Sequence, residues 1–333
     1  MRKIYILAAS ALMTFGLASC DIDNVENFGE LSSGNFPASD VDGEATLAGV
    51  YQNLNQTHAT PQQSFLYNAC LASDDQLGGG GDNDKLMQAL DLILNNGADM
   101  TNQFYVDRYA GINRANMLIS ALPNTSMSEE IKAQYLGEAL FLRAFYYYEL
   151  SSMYGNVPLR TAAGGETMQQ GNIEDIWKQI LQDLRDAIEM MPAKKSTSAG
   201  HVDKYTAEAM LGRAWLFYTG FFCNGSSIAD LTSTNYSPLT SVELLDGTTL
   251  TKQDVIAYID DCVNNSGYSL VPDFRNLWAY TNRLTVEDYD YTKGQGLKWV
   301  EDDSADNPES LFAIKFNKFA SWSTTIGYAN GIA

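Results

Sequence analysis

The chain is poor in histidine, basic residues and cysteine, and each shortage closes off a class of function. Only His58 and His201 occur in 333 residues, so a histidine-rich metal centre cannot be assembled. Lysine and arginine total 21 against 41 aspartates and glutamates, giving a formal net charge of −20. A surface this acidic repels phosphate backbones and argues against nucleic acid as a partner. The four cysteines include no CxxC pair, so a disulfide scaffold is not indicated. Beyond Ala18 there is no run of about 18 apolar residues that would span a bilayer. HExxH, G-x-S-x-G and P-loop signatures are all missing. What is present is 45% hydrophobic and 11% aromatic residues, enough to bury a core. Charged residues are only 19%, while Asn, Ser, Thr, Gly and Tyr are plentiful, which suits a hydrogen-bonding surface outside the cytosol.

The N-terminus reads as an address. Arg2 and Lys3 precede an apolar run from Ile4 to Ala18, of signal-peptide length, ending in Leu17-Ala18-Ser19-Cys20. That is the pattern of a bacterial lipoprotein signal over residues 1–19, with the Cys20 thiol as the site of lipid attachment. Residues 20–42 then form a polar tether, opening with Asp21, Asp23 and Glu26. Acidic residues at this place resemble the surface-export signal of Bacteroidetes lipoproteins. The expected location is the outer membrane, facing outward and held by acyl chains. Cys70, Cys223 and Cys262 remain, and Cys262 falls on the apolar stripe of an expected helix as a small buried hydrophobe.

Residues 43–333 read as one mainly all-α domain, a bundle of tetratricopeptide-like helix hairpins with long irregular loops and minor β. The clearest helix spans Asn172 to Met191, where Ile173, Ile176, Trp177, Ile180, Leu181 and Leu184 make one apolar stripe. Asn172 is its N-cap and Pro192 its stop. From Ile131 to Tyr154 apolar side chains appear all round, so this helix is central and sandwiched. A capping box is expected at Ser126–Glu129, and the exit at Tyr154-Gly155-Asn156. Further helices are expected at 43–56, 63–74, 84–95, 100–121, 205–222 and 252–264, the last opened by Thr251 with Asp254. No strict repeat of about 34 residues aligns. Leu311 to Phe316 reads as a strand without a partner, and the chain stops at Ala333 with no closing element, which suggests an incomplete sequence.

Candidate chemistry is sparse. Gly78–Gly81 is followed by acids and reads as a flexible loop, because carboxylates spoil a phosphate cradle. Asp74, Asp75, Asp82, Asn83 and Asp84 offer oxygens to Ca²⁺ without EF-hand spacing. Glu138 inside the central helix is expected to be neutralised by an arginine. Arg114, Arg143 and Arg213 sit mid-helix, and fork onto carboxylates or helix ends unless they clamp an anion. Gly137 and Gly212 are expected to let helices approach closely. The functional weight falls on aromatics in the loops beyond Pro272: Trp278, Tyr280, Tyr289, Tyr291 and Trp299, with Arg283 among the polar neighbours. A flat indole or phenol face matches the C–H face of a sugar ring, and adjacent Asn, Asp and Arg bond its hydroxyls.

Gly137-Glu138-Ala139-Leu140-Phe141-Leu142-Arg143-Ala144-Phe145-Tyr146-Tyr147, continuing to Tyr154-Gly155-Asn156-Val157-Pro158-Leu159, resembles the E-A-x-F-L-R-A…Y-G-x-V-P-L signature of the SusD/RagB-like outer-membrane lipoproteins of Bacteroidetes. Ile112–Asn116, Thr206–Tyr218 and Asn307–Phe312 follow in the order of that family, and Cys20 agrees with it. The resemblance implies a non-catalytic surface receptor, without a cofactor, that captures oligosaccharides for a SusC-like TonB-dependent transporter. The helical hairpins would face the transporter and the loops would hold ligand. A peptide receptor of the same kind, a surface glycosidase and a purely structural transporter subunit are the competing readings.

Overall fold

The computed structural model describes residues 39–59, 65–73, 101–164, 168–193, 200–224, 235–302 and 306–314. Cys20 with its signal and tether to residue 38, Gly78–Gly81, the acids from Asp74 to Asp84, the expected helix at 84–95, Trp322 and Tyr328 lie outside them. The described residues belong to one compact unit.

Among the described residues, seven α-helices carry it: α1 Asp40–Ala59, α2 Phe65–Ala72, α3 Asn102–Ala121, α4 Glu129–Tyr154, α5 Ile173–Met190, α6 Lys204–Trp215 and α7 Lys252–Asn265. A two-stranded antiparallel hairpin, β1 Ser241–Glu243 with β2 Thr249–Thr251, precedes α7. Helix α1 packs on α3 and α4, α3 on α4, α4 on α5, α5 on α6 and α6 on α7, a stack in which neighbours in sequence are neighbours in space. Among the described residues, no helix is long and apolar enough to cross a membrane.

The local signals act as their chemistry dictates. Asn172 accepts from the Glu174 amide to cap α5, and Thr251 with Asp254 forms a reciprocal capping box on α7. At α4 the cap is Ser128 alone, accepting from Ile131 N, because the helix begins at Glu129 rather than at a box around Ser126. Gly155 ends α4 at φ 70°, a conformation other residues adopt only with strain. Gly137 faces α5 so closely that a Cβ would lie 2.5 Å from Met191 Cγ and 3.1 Å from the Ala187 carbonyl. Cys262 is buried.

Two expectations change. The helix expected over 205–222 turns into a π-helix at Leu216–Phe221, where Thr219 Oγ1 bonds back to the Trp215 carbonyl at 2.8 Å. That segment carries Phe217 and Tyr218 against fully buried Trp177, with Tyr218 stacked at 5.8 Å and 9°. Residues 311–314 form no strand. Phe312 instead packs edge-on against Phe141 and Phe145, because the side of α4 offers rings rather than a strand edge.

Central helix α4 is apolar all round yet carries three buried charged residues. Arg143 makes a two-pronged fork onto Asp183 of α5, at 2.6 and 2.8 Å, and also donates to Asn116 of α3. Burial works against its charge, but the Asp183 carboxylate outweighs that and raises the Arg143 pKa. Glu149 takes the Arg108 Nε of α3 at 2.6 Å, and Arg108 lies between the Phe104 and Tyr146 rings. Burial still raises the Glu149 pKa despite that arginine. Arg114 donates to the Gly49 carbonyl of α1. Arg213 is exposed and lies over the Tyr148 ring.

Removing one end of a buried pair leaves the other uncompensated, at a cost of roughly 3–5 kcal/mol. Asp183→Ala is therefore expected to lower denaturant stability by about that amount, and Arg143→Met with Asp183→Leu by clearly less. Glu208 of α6 gives a pH signature. It is fully buried, with Lys204 Nζ 3.3 Å away, and burial raises its pKa to about 7. The folded chain thus holds a proton that the unfolded chain releases, and stability falls as pH rises from about 4.5 to 7. Glu208→Gln is expected to raise the melting temperature more at pH 8 than at pH 5.

Candidate functional site

The aromatic loop lies between α7 and the segment at 306–314, and hydrogen bonds tie it down at its base. Tyr268 OH donates to Asp203 Oδ2 at the N-cap of α6, and Val271 N donates to Glu309 Oε1. Thr206 Oγ1 of α6 donates to the Leu311 carbonyl. The far end of the loop is thereby fixed to the helical stack.

Within the loop, short polar side chains replace regular structure. Asp273 caps a 3-10 turn at Phe274–Leu277 by accepting from the Arg275 amide, and takes the Arg275 guanidinium on both oxygens. Those hydrogen bonds hold the Asp273 carboxyl below its ordinary range. Asn276 accepts from Lys298 N and Val300 N, and Thr281 accepts from Trp299 N, so residues 298–300 lie alongside 276–281. Buried Thr281 and Thr292 turn their hydroxyls onto the carbonyls of Trp278 and Val286. Arg283 is exposed, and its amide donates to Asp302 Oδ2. The loop is therefore a hydrogen-bonded platform that holds rings outward.

Of the residues singled out from sequence, Tyr280, Tyr289 and Tyr291 come together. Tyr289 and Tyr291 stack at 5.3 Å and 19°, and Tyr280 meets Tyr291 edge-on at 5.7 Å. Trp278 is 50% exposed and pairs edge-on with Phe274 at 6.0 Å. Phe274, at 67% exposure, was not among the expected residues, although it stands four positions from Trp278. Tyr291 is 60% exposed, while Tyr280 and Trp299 are half-buried. A link joins the two ring groups: Arg275 donates to Gln295 Oε1, and Gln295 Nε2 donates to the Tyr291 carbonyl.

A second polar cluster surrounds Glu138, and it differs from expectation. Among the described residues, no arginine pairs with this carboxylate. Tyr51 OH of α1 donates to Glu138 Oε2 at 2.5 Å, Gln134 donates to Oε1 at 2.7 Å, and His201 Nδ1 lies 2.8 Å from Oε2. Glu44 is 3.5 Å from His201 Nε2 and also accepts from Tyr135 OH. This imidazole, just ahead of α6, was invisible as a partner because His201 lies 63 residues along the chain. The hydrogen bond to Glu138 raises the His201 pKa. A third feature is an apolar groove of about 810 Å³ between α6 and α7, lined by Trp215, Leu216, Phe217, Val255, Ile256 and Ile259. None of the expected ligand residues lines it. Among the described residues, no His, Cys, Asp and Glu group is arranged to hold a metal ion.

The SusD-like_3 family, described as "Starch-binding associating with outer membrane", matches residues 28–216, more than half of the chain, and the chain belongs to this family. SusD-like proteins P38 and P2 of Formosa agariphila are each 24% identical, over 72% and 65% of this chain and 48% and 43% of their own lengths. A solved laminarin-binding SusD-like protein is 26% identical with a TM-score of 0.56, covering 74% of this chain and 49% of that one. A SusD superfamily protein from Bacteroides vulgatus shares the fold at a TM-score of 0.60 and 18% identity, over 84% and 50% of the two chains. The chain thus spans about half the length of the relatives it matches.

His201 gains its partner on folding and has a raised pKa, so its contribution is complete below its unfolded value of about 6.5. That contribution fades as pH rises through the higher folded value, with Glu138, Glu44, Tyr51 and Tyr135 as the facing groups. His201→Gln is expected to lower the melting temperature by several degrees at pH 6 and by much less at pH 9, read by thermal denaturation.

Proposed function

We propose that this protein is a cell-surface lipoprotein that binds oligosaccharides and delivers them to a SusC-like TonB-dependent outer-membrane transporter. The observation carrying the proposal is the set of open rings, Phe274, Trp278 and Tyr291, on a rigid polar loop of a chain in a starch-binding family. Sugar rings present C–H faces that stack on such rings while their hydroxyls bond nearby amides, carboxylates and guanidinium groups. Trp278, Tyr280, Tyr289, Tyr291, Trp299 and Arg283 are assigned to this ligand-binding face, and Phe274 joins them. Trp299 and Tyr280, half-buried, serve more to hold the platform than to touch ligand.

The laminarin-binding relative makes a β-glucan the first ligand to test. Cys20 carries the lipid, the residues from there to the start of α1 at Asp40 the tether, and the outer-membrane surface is the location, in keeping with the association stated for the family. The stacked hairpins supply a broad helical face for the transporter. The proposed role is binding rather than catalysis: Glu138, Glu149 and Asp183, the buried carboxylates against α4, are all engaged in helix-to-helix bonds.

Affinity electrophoresis in gels containing laminarin tests the reading. The wild-type chain is expected to be retarded. Trp278→Ala and Tyr291→Ala are each expected to weaken binding about ten-fold, with unchanged far-UV circular dichroism, since a lost stacking contact costs about 1–2 kcal/mol. Retardation by a peptide pool but by no glycan would favour a peptide receptor. Reducing ends released from laminarin would instead establish a hydrolase.

A further inference from the structure

We infer that the aromatic loop selects uncharged glycans and discriminates against chains carrying carboxylate or sulfate. The inference rests on the reading of this loop as the glycan site and specifies the ligand class that the site takes.

Recognition of an anionic sugar calls for a cation with an open donor face, and arginine's planar fork fits a carboxylate or sulfate best. The base that the structure ties to both ring groups is Arg275. It stands next to Phe274 in the chain, and Gln295 bridges it to the Tyr291 backbone. Its fork is already filled: Nε and Nη2 donate to the two oxygens of Asp273 at 3.0 and 2.7 Å, and Nη1 donates to Gln295. The base beside Phe274 is therefore paired with a carboxylate, which occupies its Nε–Nη2 edge.

The charges beside the stacked tyrosines have the opposite sign. Asp288 and Asp290 bracket Tyr289 and precede Tyr291, all four residues are exposed, and no ion pair holds either carboxylate among the described residues. Lys293 is the base on this turn, outnumbered by those two acids and Glu287. Between residues 272 and 302 there are six acids and four bases, on a chain whose net charge is −20. A uronate carboxylate on a ring stacked over Tyr291 would meet the field of these flanking acids. Each such repulsion is worth a few-fold in affinity at low salt, and it is screened once the Debye length falls below the separation. A neutral sugar meets no such penalty, and the same carboxylates accept hydrogen bonds from its hydroxyls.

Isothermal titration of the full chain with laminarin, and with laminarin oxidised at C6 to the uronate and matched in length, tests this at 20 and 300 mM NaCl. The oxidised glucan is expected to bind about ten-fold more weakly at 20 mM, the gap shrinking to about three-fold at 300 mM. Asp273→Asn, which frees the Arg275 fork, and the pair Asp288→Asn with Asp290→Asn are each expected to strengthen binding of the oxidised glucan several-fold. Equal or tighter binding of the oxidised glucan by the wild-type chain overturns the inference while leaving a glycan site in place. Binding of neither glucan overturns the glycan reading of the loop, and the inference with it.

Discussion

A charged side chain buried in protein must find its counter-charge or hydrogen-bond partners at a fixed place, and α4 uses this three times over. Glu138 reaches Tyr51 of α1 and His201, Arg143 reaches Asp183 of α5 and Asn116 of α3, and Glu149 reaches Arg108 of α3. Apolar burial draws the helices together but is indifferent to which face meets which. The polar contacts are not, because a slipped or rotated neighbour would leave a carboxylate or guanidinium without a partner. The one helix that is hydrophobic all round is thus pinned in register to the elements on its flanks.

That register is what places the loops. Helix α6 packs on α5, and its N-terminal cap Asp203 accepts from Tyr268 OH, while its Thr206 hydroxyl donates to the Leu311 carbonyl. Both ends of the aromatic segment are therefore referred to one turn of one helix. From there Asp273, Asn276, Thr281 and Asn282 fix the chain by side-chain-to-backbone bonds, which cost little apolar area and leave the rings outside. A loop built this way can hold Trp278 half exposed. The groove between α6 and α7 is of a different kind, mostly apolar, with Leu216 and Ile256 open to solvent and Arg213, Lys252 and Asp260 among its lining.

The helical architecture was legible because its signals are local. The stripe in α5, the all-round apolarity of α4, and caps at Asn172 and Thr251 each lie within one or two turns of sequence. The close approach at Gly137 was legible too, since few other reasons place glycine mid-helix. What failed was non-local or depended on alternatives of similar energy. The partner of Glu138 came from a distant histidine rather than an arginine, and the end of α6 widened into a π-turn that carries Phe217 and Tyr218 against Trp177. The apolar run at 311–314 has a strand-like composition, yet Phe312 found the rings of α4 instead of a sheet. In the loop, composition pointed to aromatics but not to their pairing. Phe274 was missed because its role emerges only when a 3-10 turn sets it beside Trp278.

The central claim is that rings held outward by a polar loop, rather than the apolar groove or the polar cluster at Glu138, meet the ligand. A crystal structure of the chain with a laminarin oligosaccharide addresses it most directly. The account predicts a glucose ring with its C–H face against Trp278 or Tyr291 and hydroxyls bonded to neighbouring loop side chains. An oligosaccharide seated between α6 and α7, or against Tyr51 and His201, with the indole of Trp278 bare, would contradict it.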